Sequence, residues 1–74
     1  MNKAAQRTRI LEHIMEHGSI TTMEGSDILR IADTRKRISE LRAKGYPIID
    51  EWRRYTNEDG KSIRYKVYYL EDSA

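Results

Sequence analysis

Eleven consecutive residues, Thr34 to Lys44, carry Arg35, Lys36, Arg37, Arg42 and Lys44 against the single acid Glu40. Guanidinium and ammonium groups at this density can donate to phosphate oxygens, and Arg or Lys can also donate to the O6 and N7 edge of guanine. Further basic side chains, Arg53, Arg54, Lys61, Arg64 and Lys66, lie in a segment rich in β-branched and aromatic residues. A third pattern, His13-Ile14-Met15-Glu16-His17, matches the His-x-x-Glu-His spacing that puts two imidazoles on one helix face, where they can share a metal. Metal-assisted hydrolysis also needs a third ligand from another element and a substrate cleft. A chain of 74 residues offers no such partner element, and short patterns of common residues arise by chance. Both histidines therefore read as exposed surface positions. Neither a metal, a cofactor nor a small-molecule substrate is expected, and the chain is read as non-enzymatic.

The elements that must position these groups follow from periodicity. Ile10, Leu11, Ile14 and Met15 recur at helical spacing, so a first helix is expected over about 3–17, ended by Gly18. Ser19-Ile20-Thr21 reads as a short extended link. Thr21 followed three residues later by Glu24 is a capping box, which opens a second helix over about 22–29 with Met23 and Ile28 or Leu29 as its apolar contacts. Gly25 inside it costs roughly 1 kcal/mol relative to Ala, which close approach of a neighbouring helix would offset. Asp33 caps a third helix over about 34–44, with Thr34, Ile38 and Leu41 turned inward and Arg35, Lys36, Ser39, Glu40, Arg42 and Ala43 outward. Arg37 flanks the inward stripe, where it can meet a phosphate or pair with an acid of the second helix. Gly45 and Pro47 end that helix.

Residues 48–56 and 62–70 are rich in Ile, Val, Trp, Tyr and Thr and bracket Asn57-Glu58-Asp59-Gly60, the pattern of a β-hairpin. A two-residue Asp59-Gly60 turn would set Trp52 opposite Val67 and Ile49 opposite Leu70, and a longer loop would shift every pair. The tail, Glu71 to Ala74, is expected to fray. With no Phe in the chain, Trp52 and Tyr46, Tyr55, Tyr65, Tyr68 and Tyr69 must supply much of the core. Core packing suits Trp52, Tyr46 and Tyr68, and about two of the six rings should be exposed, where they could also stack on unpaired bases.

Composition bounds the remaining readings. Charged residues are 35% of the chain and hydrophobic ones 38%, there is no cysteine, and the formal net charge is only +2. Disulfides, thiol chemistry and Cys-ligated zinc are excluded together. One small domain spanning 1–74 is expected, burying about 60% of the surface its unfolded chain exposes. Charges cancel over residues 1–30, and the surplus lies in residues 31–54, where seven basic side chains face four acids. Such a focused basic element is the footprint of a protein that meets a polyanion. No apolar run reaches membrane-spanning length and the first residues lack signal-peptide character, so a soluble cytoplasmic protein without a membrane partner is expected, nucleoid-associated if bacterial or phage-encoded.

The order helix, extended link, helix, tight turn, basic helix, hairpin is that of a three-helix winged helix-turn-helix, mostly α with a β-hairpin wing. Gly18-Ser19-Ile20-Thr21, Met23-Glu24-Gly25, the run Arg37 to Tyr46 and the final Tyr68-Tyr69-Leu70 resemble the short winged helix-turn-helix proteins common in phages and prophages, over about residues 8–70. Two departures from that pattern are Gly25, where alanine would be expected, and a charged wing with two apolar faces. The resemblance implies double-stranded DNA as partner, with the third helix in the major groove as a small transcriptional regulator or architectural factor. Thr34, Arg35, Lys36, Arg37, Ser39, Glu40 and Arg42 are then the candidate reading-helix contacts, and Arg53, Arg54, Lys61, Arg64 and Lys66 the candidate wing and backbone contacts. The alternative is a protein–protein interaction module, for example a phage-encoded modulator of a host protein, using the wing's aromatic face. That face could also support weak self-association, with Val67 and Tyr69 in the contact.

Overall fold

The computed structural model describes residues 2–71. Helix α1 is Lys3–His17, strand β1 Ile20–Thr21, helix α2 Thr22–Asp27, helix α3 Thr34–Ala43, and strands β2 and β3 are Ile48–Thr56 and Ser62–Leu70. Of the tail expected to fray, Glu71 to Ala74, the Glu71 N–H donates to the Pro47 carbonyl at 2.8 Å, and residues 72–74 lie outside the described residues. No helix among them is long and apolar enough to cross a membrane.

Local signals account for where the helices start and stop. Asn2 caps α1 by accepting from the Ala5 N–H at 2.8 Å, and Gly18 ends it at φ 91°, its N–H donating to the Ile14 carbonyl. The capping box of α2 is complete: Thr21 Oγ1 accepts from the Glu24 N–H at 3.0 Å, and the Thr21 N–H donates to Glu24 Oε1 at 2.8 Å. This helix is shorter than the expected 22–29, because the chain turns after Asp27 and the Ile31 N–H donates back to the Gly25 carbonyl at 2.8 Å. Met23 and Ile28 are consequently 70% and 58% exposed, and Leu29 alone of the three expected contacts is buried. Asp33 caps α3 through the Lys36 N–H at 3.2 Å.

The core draws on every element but α2, and the turn that follows α2 contributes instead. Ile10 and Ile14 of α1, Ile20 of β1, Leu29 and Ile31 of the turn, Ile38 and Leu41 of α3, Ile48 of β2 and Tyr68 of β3 form one buried cluster, with Leu11 and Leu70 packed against it. Replacing Leu41 by Ala at its centre should cost about 2–5 kcal/mol.

The extended link proves to be a strand. β1 pairs antiparallel with the middle strand β3 (Ile20 with Tyr68, Thr21 with Val67), giving a three-stranded sheet in the order β1-β3-β2. The hairpin register differs by one residue from the two-residue-turn expectation: Trp52 faces Lys66, and Ile48 rather than Ile49 faces Leu70. Asn57 is the reason. Its carbonyl accepts from the Gly60 N–H at 3.0 Å, its N–H donates to the Lys61 carbonyl at 2.9 Å, and its side-chain Oδ1 accepts from the Asp59 and Lys61 N–H groups at 3.0 and 2.9 Å. A type I′ turn would need positive φ at both Asp59 and Gly60. Only Gly60 has it, at 81°.

The slip changes which side chains share a face. Ile48, Asp50, Trp52 and Arg54 now stand with Leu70, Tyr68, Lys66 and Arg64 on the face that begins over the helices, while Glu51, Arg53 and Tyr55 stand with Val67, Tyr65 and Ile63 on the other. Trp52 and Tyr46, expected in the core, are 58% and 42% exposed, whereas Tyr68 is buried. Val67 is buried too, so the face expected to support self-association does not offer it to a partner.

Candidate nucleic-acid interface

Helix α3 presents its N-terminal half toward solvent. Arg35, Lys36 and Ser39 are all exposed, and Arg35 lines a groove whose opposite wall is the wing. Two other residues of the expected reading set are not on this surface. Thr34 is buried beneath Gly25, and Arg37 is only 6% exposed, with one guanidinium nitrogen 3.0 Å from Glu40 Oε2. Arg37 therefore pairs with an acid of its own helix rather than with one of α2.

Glu40 also serves the fold. Its Oε1 accepts from Arg7 of α1 at 2.8 Å, so one carboxylate bridges two guanidinium groups and ties α1 to α3. The Arg7 hydrogen bond, aided by the charges of Arg37, Arg7 and Lys3, holds this carboxyl below the usual glutamate value, against the opposing effect of burial. Arg42 is engaged as well: Nε donates to the Ile48 carbonyl at 2.9 Å, a terminal nitrogen reaches Asp50 Oδ2 at 3.1 Å, and the guanidinium lies 5.9 Å from the Tyr68 ring centre. It pins the end of α3 to the start of β2.

The wing cations divide in the same way. Arg53 lies on the far face and gives two bonds to Glu51 Oε1, at 3.1 and 2.8 Å. Arg54 is exposed on the helix-side face and Lys61 in the loop. Arg64 and Lys66 reach over Trp52, at 4.6 and 4.9 Å from its ring centre. Lys66 Nζ also stands 3.9 Å from Asp50 Oδ2.

Between the start of α2, the start of α3 and the wing lies a groove of about 660 Å³. It wraps the edge of β3 beyond Val67, where β1 has ended. Met23, Arg35, Trp52, Arg64 and Lys66 line it, and every charged side chain along it is a cation. A helix preceded by a short helix and a tight turn, with a basic hairpin flanking its exposed N-terminal half, is the layout of a winged helix-turn-helix. The family model of the winged helix-turn-helix domain matches residues 5–73.

The chain belongs to that family. No curated protein and no solved structure matches it. Winged helix-turn-helix domains typically bind DNA without catalysing a reaction, and the sheet here supplies the wing.

The groove is not apparent from the sequence, because in a chain without Phe Trp52 reads as a core ring, whereas it lies out along the wing, 58% exposed. Met23 was missed for a similar reason: it was assigned to the apolar side of α2. The legible signal near the groove is Asn57, whose side chain can close the longer loop and so sets Lys66 rather than Val67 beside Trp52. The His-x-x-Glu-His pattern also divides. His17 is exposed but His13 is buried, 7% exposed, correcting the expectation that both lie on the surface. Their rings are 4.5 Å apart, and among the described residues no three His, Asp or Glu side chains are grouped to hold a metal.

Proposed function

We propose that this winged helix-turn-helix protein binds double-stranded DNA non-catalytically, with Arg35, Lys36 and Ser39 entering the major groove and Arg54, Lys61, Arg64 and Lys66 meeting the backbone. The observation that carries the reading is the convergence of Arg35 with Arg64 and Lys66 on one groove that no acidic side chain lines. Residues near the start of a reading helix go deepest into the groove in this motif, and Arg35, Lys36 and Ser39 are its exposed ones. Thr34, Arg37, Glu40 and Arg42 then act by holding the helix in place rather than by touching DNA. Such a protein would be a small cytoplasmic regulator of transcription or an architectural factor, of the kind common in phages.

A salt titration with random duplex DNA tests this reading. Neutralising about five phosphates gives a slope of log affinity against log salt near −4.5. Arg35→Ala or Lys36→Ala should weaken binding and relax preference at one or two base pairs. Absence of binding to duplex DNA at low salt would overturn the reading and favour the protein-interaction module.

A further inference from the structure

We propose that the groove between α2, α3 and the wing takes an unpaired nucleotide, so that the preferred DNA is a duplex adjoining a single-stranded segment. The proposal rests on the duplex-binding reading above and adds a substrate class to it. An ordinary duplex would account for Arg35 through its base edges and for Arg64 and Lys66 through its phosphates, but not for Trp52. In paired, stacked DNA the faces of the bases are covered by their neighbours, so an indole on a wing has no ring to meet. An unpaired base offers one, and every base has a π-face.

The surroundings of Trp52 suit such an occupant. The ring is 58% exposed although it is the largest side chain in the protein, and it sits in a groove of about 660 Å³, within the range of pockets that hold small ligands. Arg64 and Lys66 lie over the ring, 4.6 and 4.9 Å from its centre. A base that stacks on the indole displaces a cation from its face, and that cation is then within the span of one nucleotide to meet the phosphate. Asp50, 3.9 Å from Lys66, offsets part of that charge and leaves Arg64 as the stronger phosphate partner. Met23, 70% exposed on the opposite wall, supplies an apolar contact for a base or sugar. An extended acidic segment of another protein would satisfy the cations equally, but the flat indole among them favours a ligand that is both anionic and aromatic.

Trp52 is the only tryptophan, so its fluorescence reports directly on the groove. Three DNAs are compared at one salt concentration: a blunt duplex, and the same duplex with a short dT overhang on either strand. At least one overhang should bind about tenfold more tightly than the blunt duplex and quench Trp52 emission. Trp52→Leu should abolish that gain while leaving blunt-duplex affinity within about twofold, and Trp52→Phe should retain part of it. Circular dichroism confirms that both variants are folded. Equal affinity for all three DNAs without quenching overturns the proposal and leaves the duplex reading intact, whereas failure to bind any of them removes both. Quenching by a poly-glutamate peptide but not by the overhangs also overturns it and gives the groove to an acidic protein segment.

Discussion

Gly25 of α2 faces Thr34 of α3 with no room for a Cβ: one built there would stand 2.9 Å from both Thr34 Cβ and Cγ2, and closer still to Oγ1. Glycine in a helix is ordinarily a loss of about 1 kcal/mol against alanine, so Gly25→Ala would look stabilising from propensity alone. The contact reverses the sign. Gly25→Ala should destabilise the domain by about 1–3 kcal/mol in urea unfolding, as overpacking does. The same change in a Thr34→Gly background should be less costly than in the native protein, because Oγ1, Cγ2 and the Cβ at 2.9 Å are all gone. Additive single and double variants would show that the two residues do not meet.

Features that one turn of chain decides were legible in the sequence, and features that depend on distant partners were not. Thr21 and Glu24 read as a capping box because both partners lie within three residues. β1 did not read as a strand, since two residues show no alternation and its partners, Val67 and Tyr68, lie far along the chain. At the interface, the basic character of α3 was plain from composition, but not which cations are engaged. Arg37 and Arg42 look like Arg35 in sequence, and only packing brings Glu40, Ile48 and Asp50 to them. Asn57 shows how much one side chain can hide. Its two bonds to backbone N–H groups move the register by a residue and set Lys66 rather than Val67 opposite Trp52.

The bridge from Glu40 to Arg7 and Arg37 should make stability sensitive to acid. The folded-state value of Glu40 is lowered from 4.5, chiefly by the Arg7 hydrogen bond. The unfolded chain therefore takes up this proton more readily than the folded one, so the contribution is complete above the ordinary glutamate range. It is lost as pH falls from about 4.5 through the lower folded-state value. Melting temperatures of the native protein and Glu40→Gln should differ at pH 7 and converge toward pH 3. A constant gap across that range would mean that the carboxylate charge contributes nothing.

The two histidines should separate sharply on substitution. His13 is 7% exposed, and its Nε2 neither accepts nor donates a hydrogen bond and stands 3.9 Å from Glu24 Oε2 at the start of α2. His13→Ala should lower stability by about 1–3 kcal/mol through the cavity it leaves, while His17→Ala should stay within about 0.5 kcal/mol. Equal effects in thermal unfolding would contradict the burial of His13.

Arg42 provides the clearest separation between holding the reading helix and touching DNA. Its guanidinium is committed to the Ile48 carbonyl and Asp50, so the angle between α3 and the wing depends on it. Arg42→Gln removes those bonds and should lower stability by about 1 kcal/mol. At a temperature where the variant remains folded, its salt slope should match that of the native protein, because no phosphate contact has gone. Lys36→Gln should behave in the opposite way. The Lys36 side chain is exposed, so stability should barely move, while the slope should become shallower by about 0.9 if one phosphate contact is lost. The order of the two effects is what matters. A shallower slope for Arg42→Gln with an unchanged melting temperature would show that this arginine leaves Asp50 and joins the DNA contacts.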